Sequence, residues 1–219
     1  MTTMAKAYKG MGMEGGLARW YDRTTRKGMA DFQALAARIA AIVPTDGKVL
    51  EVAPGPGFLS IELAKRGLEV RAVDISKTFV EIARKNAAEA GVNAEFVQGN
   101  AAELPVESGS VDFVVCRAAF KNFTEPVKAM SEMLRVLRPG GQALLIDLRK
   151  DVSMKEIEQG VRAMGVSWWN RVFMNFTFKH MLIKRAYRVD EIRRMAVQAG
   201  WSDVRIDRAP IGFEAWVTR

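Results

Sequence analysis

The sequence predicts a doubly wound α/β fold, a mostly parallel sheet with helices on both faces. Three observations carry this. Residues 48–58, KVLEVAPGPGF, are an apolar run broken by a turn rich in Gly and Pro, after which apolar residues resume at helical spacing over 59–65. A second apolar run, 68–73, ends in Asp74, about 20 residues past the turn, where an acidic side chain accepts hydrogen bonds from ribose hydroxyls in such folds. A third run, 111–116, is continuously apolar after Asp112, as strands covered on both faces are.

The remaining elements follow in order. Residues 1–16 are rich in Met and Gly without periodicity and are expected to form a mobile arm. From 17 to 43, apolar residues recur at three and four, including Trp20, Tyr21, Phe32, Leu35 and Ile39, which predicts one or two helices before the first strand. Ser76 is placed to cap a helix over 77–90 that Gly91 ends. A third strand, 94–97, leads into Gln98-Gly99-Asn100-Ala101-Ala102. Strand 111–116 delivers residues 117–123, RAAFKNF, to the carboxyl edge of the sheet, where ligands of open α/β folds bind. Helix 125–137 stops at Arg138-Pro139-Gly140-Gly141, and 142–147 is a fifth strand. A helix over 189–199 and strands over 201–206 and 211–217 complete the pattern, with an addition at about 151–188.

At 219 residues and 49% hydrophobic, the chain is long enough for one well-buried domain with an elaboration. No apolar run approaches the roughly 20 residues of a spanning helix, and the first residues lack the apolar core of a signal peptide, so a cytoplasmic location is expected. The single cysteine, Cys116, excludes an internal disulfide, and the single histidine, His180, leaves little from which to build a metal site. The net charge of +8 is carried by the flanks, while 48–147 is near neutral. A basic flank suits an anionic small molecule, an anionic surface, or solubility alone.

The turn lacks the Gly-Lys-Ser/Thr of a phosphate-binding loop, and Glu51-x-Ala53-x-Gly55-x-Gly57 does not have dinucleotide spacing. A nucleoside without a pyrophosphate fits better. At this point LEVAPGPGFLSIELAKRG resembles the first motif of the class I S-adenosylmethionine (SAM)-dependent methyltransferases, with Ala53 in place of the first Gly. VDIS at 73–76, VQGNAAELP at 97–105, VDFVVCRAAF at 111–120 and MLRVLRPGGQALLID at 133–147 resemble later family features, in register. The resemblance implies a seven-stranded Rossmann-like sheet, with 1–47 as arm and lid helices, 48–219 as the SAM-binding domain and 151–188 as a substrate cap.

It also implies SAM as cofactor, S-adenosylhomocysteine as product, and no metal. The cofactor residues implied are Glu51, Ala53, Gly55, Gly57, Asp74, Ile75, Asn100, Ala101 and Arg117. Asn100 stands where the family often has an acidic residue near the adenine amine, and its side-chain carbonyl still accepts a hydrogen bond. Tyr8, Trp20 and Tyr21 resemble lid residues.

Arg117, Lys121 and Asn122, interleaved with Ala118, Phe120 and Phe123, suit an apolar acceptor bearing an anionic group. Residues 162–188 mix basic and aromatic side chains, Trp168 and Trp169 among them, without one Asp or Glu. Such a mixture suits a cap over the acceptor, a dimer face or a peripheral membrane face. Nucleic acid is disfavoured because the chain carries no recognised binding module.

The candidates for catalysis are Tyr21, Lys121, Asn122 and His180. A carboxylate acceptor needs only cations to place it, so the first expectation is O-methylation of a small anionic or aromatic molecule. The whole chain most resembles the ubiquinone/menaquinone biosynthesis type, which makes C-methylation of a quinone-like ring the alternative, beside a non-catalytic SAM-binding subunit.

Overall fold

The computed structural model describes residues 8–9, 12–163 and 183–219. Trp168, Trp169 and His180, and with them most of the expected cap, lie outside the described residues. The elements named below are α1 Gly15–Thr25, α2 Met29–Ala40, β1 Lys48–Val52, α3 Phe58–Ala64, β2 Glu69–Asp74, α4 Lys77–Glu89 and β3 Ala94–Gln98. They continue as β4 Val111–Arg117, α5 Pro126–Val136, β5 Leu137–Leu148, α6 Met154–Ala163, α7 Val189–Gln198, β6 Arg205–Arg208 and β7 Gly212–Thr218.

The seven strands form one sheet in the order β3-β2-β1-β4-β5-β7-β6. β1 to β5 pair in parallel, and β7 runs antiparallel to both β5 and β6. The order reverses between β1 and β4, which opens a crevice at their carboxyl ends.

Side-chain alternation along the central strands builds two cores, one on each face. Leu50, Val52, Val114, Cys116 and Leu145 join α5 and α7 through Met130, Met133, Ile192 and Ala196. Val49, Phe113, Val115 and Leu144 join α2 and α3 through Leu35, Ile39, Leu59 and Leu63. Trp201 is 1% exposed and donates its indole N–H to the Met130 carbonyl at 3.0 Å, so its one polar atom is satisfied in the core.

Two expectations change. The fifth strand begins at Leu137 rather than 142 because the Arg138-Pro139-Gly140-Gly141 segment stays extended: Leu137 pairs with Val111, and Gly140 N–H donates to the Arg219 carbonyl at 2.7 Å. The described part of the arm is also tied to the domain. Tyr8 bridges Phe123, Lys9 N–H donates to the Asn122 carbonyl at 2.7 Å, and the Ser76 hydroxyl donates to the Met13 carbonyl at 2.7 Å. Polar backbone on a short arm finds partners here that hydropathy does not reveal.

Candidate cofactor and acceptor site

The turn after β1 is shaped by left-handed residues. Ala53, Gly55 and Gly57 have φ of 59°, 55° and 81°. Ala53 N–H donates to the Val73 carbonyl at 2.8 Å, which fixes the start of the turn on β2. At Gly57 a Cβ would lie 2.9 Å from Ala83 Cβ and from Phe96 Cε1, so the missing side chain lets α3 start against α4 and β3. Gly55 differs, because the nearest atoms to a Cβ there are Tyr21 Cε1 and Phe79 Cζ, both at 4.0 Å. That space lies between the turn and an aromatic pair, Tyr21 edge-on to Phe79 with centroids 5.8 Å apart.

Ala53 adopts the conformation its Cβ disfavours, at a cost of about 1–2 kcal/mol. Ala53→Gly removes that strain but frees the unfolded chain. The expected result is a small gain in stability, about 0.5 kcal/mol, read from urea midpoints, and a loss above about 1 kcal/mol would contradict it.

Asp74 ends β2 with a carboxylate that accepts Gly55 N–H at 3.0 Å and Ser76 N–H at 2.9 Å. It therefore grips both the Gly-rich turn and the entry to α4, and the lone pairs that remain suit a vicinal diol. Burial pushes its carboxyl up to about 6, against the lowering effect of the two amides. Glu51, next to the carboxyl end of β1, is 3% exposed and accepts the Ser60 hydroxyl at 2.5 Å. Burial raises it to about 7, opposed by Ser60 and by the field of Arg117.

Both carboxyls thus prefer the neutral form when folded. The stability they contribute is complete below their unfolded values near 4 and is lost as pH rises through about 6 for Asp74 and about 7 for Glu51. A ligand whose hydroxyls donate to ionised Asp74 reverses this preference. The thermal shift given by saturating S-adenosylhomocysteine is therefore expected to grow from pH 5 to pH 7, and Asp74→Asn is expected to remove the step near 6. A shift that is flat or falls over that range would contradict the assignment.

The other expected cofactor residues line the same edge. Ile75 follows Asp74, and its carbonyl is held by the Gln98 side chain at 3.1 Å. Asn100 forms a tight turn in which its side-chain carbonyl accepts Ala102 N–H at 3.0 Å, leaving one lone pair and its N–H2 for an adenine. Ala101 is half-buried beside it. Arg117, at the end of β4, stacks its guanidinium over Phe32 of α2 at 4.5 Å from the ring centre.

Lys121 requires a correction. Expected as a free cation for an acceptor, it is 6% exposed and spent: Nζ donates to Asp147 Oδ1 at 2.9 Å and to the Ala118 carbonyl at 2.6 Å. Asp147, 5% exposed at the end of β5, also accepts Lys121 N–H at 2.9 Å and Leu148 N–H at 2.7 Å. The pair holds the loop after β4 in its left-handed bend at Ala118, φ 61°. Asn122 lies on this loop, half-buried, with its carbonyl bound by the arm. Trp20, expected in the lid, faces solvent at 52% exposure, because α1 turns Tyr21 and Ala18 inward instead.

Several contributors carry little signal in the sequence. Buried Asn86 of α4 joins three segments: its amide donates to Asp22 of α1 at 3.0 Å and to the Pro56 carbonyl at 2.9 Å, and its oxygen accepts Arg26 at 2.8 Å. Asp147 was missed as well, whereas Tyr187, one of the aromatic residues of the 162–188 stretch, packs on Phe120 at 5.7 Å. A polar residue on the apolar stripe of a predicted helix was the one signal for Asn86.

The chemistry of these pieces fits SAM: a turn open at Gly55, a carboxylate at Asp74 with lone pairs left to accept from a diol, and an amide at Asn100 able to pair with a base. The profile of the family described as "Methyltransferase domain" matches residues 50–145. A demethylmenaquinone methyltransferase of Renibacterium salmoninarum is 35% identical over 167 residues, covering 72% of this chain and 67% of that protein. The chain belongs to the class I SAM-dependent methyltransferases. A second demethylmenaquinone methyltransferase, from Deinococcus radiodurans, is 35% identical over 114 residues, 51% of this chain and 47% of its own length. The chain therefore spans about half the length of several curated relatives it matches. Among solved structures, a Methanococcus maripaludis protein assigned to the SAM-dependent methyltransferases superposes with a TM-score of 0.75 at 25% identity, covering 96% of this chain and 95% of that one. An Aquifex aeolicus SAM-dependent methyltransferase shares the fold at a TM-score of 0.68 and 20% identity, covering 92% and 96%.

SAM is the cofactor of this family, and bound in the crevice it would supply an electrophilic sulfonium methyl. Among the described residues no group of three or more His, Cys, Asp or Glu is placed to hold a metal ion, and no helix is long and apolar enough to cross a membrane.

Proposed function

We propose that this methyltransferase acts on a small aromatic acceptor and places the methyl on a ring carbon. The observation that carries this is the neutralised Lys121. With Asp147 satisfying it, the partly exposed aromatic side chain at this end is Tyr187, backed at 5.7 Å by Phe120, which is itself buried and packed on buried Phe123 at 5.6 Å. Such a wall favours a flat ring over an isolated carboxylate. The demethylmenaquinone methyltransferases among its relatives support the same reading.

The chain's own residues then have these tasks. Asp74 and the 53–57 turn orient the nucleoside. The loop 117–123, fixed by Lys121 and Asp147, sets where the acceptor stops, so that the reacting carbon would meet the methyl in line, the S–CH3 bond breaking as the C–CH3 bond forms and the ring proton leaving to water. The Tyr8 phenol is pushed up by burial, an effect that Arg185 opposes and that Asp74, Tyr21 and Asp147 reinforce. It stays protonated at neutral pH and donates a hydrogen bond to an acceptor oxygen rather than taking a proton.

One observation favours the O-methylation reading: Lys9 and Arg185 bring cations to the mouth, where Lys9 Nζ donates to the Tyr187 hydroxyl at 2.5 Å and Arg185 donates to the Lys9 carbonyl at 3.2 Å. Transfer of a labelled methyl separates the two. Incubated with a demethylated quinol and with a panel of aromatic acids, the enzyme is expected to give product whose label resists both acid and base. Label released by base would identify an ester and overturn the ring-carbon assignment.

A further inference from the structure

We propose that Asn86 is a positioning residue for the cofactor: through the peptide groups of the Gly-rich turn it holds the Asp74 carboxylate in the orientation that receives a ribose. This rests on the cofactor reading above. Asn86 lies on α4 and is 6% exposed. Its Nδ2 faces two groups that only accept, the Asp22 carboxylate at 3.0 Å and the Pro56 carbonyl at 2.9 Å. Its Oδ1 faces a group that only donates, the Arg26 guanidinium at 2.8 Å. One orientation of the amide satisfies all three, and the reverse one sets its oxygen against two acceptors. The donor aimed at Pro56 is therefore fixed.

The sequence of the turn decides where that donor acts. In Pro54-Gly55-Pro56-Gly57 the prolines carry no N–H, so the two glycine amides are the only backbone donors. Both are used in one series. Asn86 donates to the Pro56 carbonyl, and on the far side of that peptide Gly57 N–H donates to the Pro54 carbonyl at 3.1 Å. On the far side of the Pro54–Gly55 peptide, Gly55 N–H donates to Asp74 Oδ2 at 3.0 Å. A trans peptide points its C=O and N–H in opposite directions, so two rigid planes carry the orientation set at Asn86 to Asp74. Each bond in such a series also polarises the next.

The other oxygen of Asp74 is held by Ser76 N–H at 2.9 Å. The Gly55 bond thus completes the direction of the lone pairs left for a ribose diol. Gly55 and Gly57, with φ of 55° and 81°, carry no Cβ to restrict them, so the planes they join turn readily once the hold at Pro56 is lost. Arg26, which orients the Asn86 oxygen, also lies over Phe58, the first residue of α3, at 5.1 Å from its ring centre.

The effect to be read is on recognition of the ribose. Binding of S-adenosylhomocysteine and of its analogue lacking the ribose 2′-hydroxyl is measured by calorimetry on the full chain, below each variant's thermal midpoint. Wild type is expected to prefer the natural ligand by at least about tenfold, the worth of one hydroxyl bonded to an ionised carboxylate. In Asn86→Ala the preference is expected to fall to about threefold or less, with a loss of affinity of about tenfold. Asn86→Asp keeps the size of the side chain and the bond from Arg26 but donates to neither acceptor, and should show the same fall in preference. Asp22→Ala removes one partner of Asn86 and leaves its bond to Pro56, so it should lower the thermal midpoint with the preference near wild type. A merely structural role for Asn86 would lower midpoint and affinity and leave the preference intact. A wild-type preference in both Asn86 variants would therefore overturn the assignment, as would an equal fall in Asp22→Ala. If wild type binds no S-adenosylhomocysteine, or binds both ligands equally, the cofactor reading fails and the role of Asn86 falls with it; a wild-type preference that the Asn86 variants retain overturns the role of Asn86 alone.

Discussion

Asp74→Ala is expected to abolish calorimetrically measurable binding of S-adenosylhomocysteine, a loss of at least about a hundredfold. Two ribose hydroxyls donating to an ionised, nearly buried carboxylate form charge-assisted bonds of about 1.5–3 kcal/mol each, so their removal alone accounts for about two to four orders of magnitude. The variant also leaves Gly55 and Ser76 amides without the acceptor that holds the turn against α4. Gly55→Val is expected to match it by another route: at φ 55° a β-branched side chain is strained, and its methyls enter the approach between the turn and Tyr21. Among the described residues, chain neighbours aside, no atom lies closer than 4.0 Å to the added Cβ, so this variant should fold and simply fail to bind. Retained micromolar affinity in both would refute the site.

The second large effect is at the buried pair. Asp147→Ala leaves the Lys121 ammonium, 6% exposed, with one carbonyl for company. An unpaired buried charge of this kind costs about 3–5 kcal/mol. Lys121→Met is expected to cost less, because Asp147 keeps the amides of Lys121 and Leu148. The double variant should cost less than the sum of the singles, since each single strands the other's charge. Urea midpoints at constant slope measure all three, and strictly additive losses would contradict a coupled pair.

The order of elements was legible because parallel strands buried on both faces write themselves as unbroken apolar runs, and because helix stops and turns are marked by Gly and Pro. The runs at 49–52 and 111–116 and the N-cap at Ser76, whose hydroxyl accepts Phe79 N–H at 3.0 Å, read true for that reason. What the sequence hid was pairing at a distance. Lys121 and Asp147 lie 26 residues apart, and nothing local distinguishes a cation offered to a substrate from one absorbed by a carboxylate on the next strand. Likewise the arm carries no periodicity, so its attachment through Met13 and Lys9 follows only from where Ser76 and the 122–123 loop bring their polar groups. Ala53 is the reverse case: it stands where the resemblance has Gly, and the surrounding turn imposes a positive φ regardless.

The central claim is that a sulfonium nucleoside lies across the carboxyl ends of β1 and β2 with its ribose on Asp74. A crystal structure with S-adenosylhomocysteine tests it most directly. The expected result is both ribose hydroxyls within hydrogen-bonding distance of the Asp74 carboxylate and the homocysteine chain against the 53–57 turn, its sulfur pointing toward residues 117–123. A nucleoside bound elsewhere, or a crevice that stays empty at saturating ligand, would contradict it.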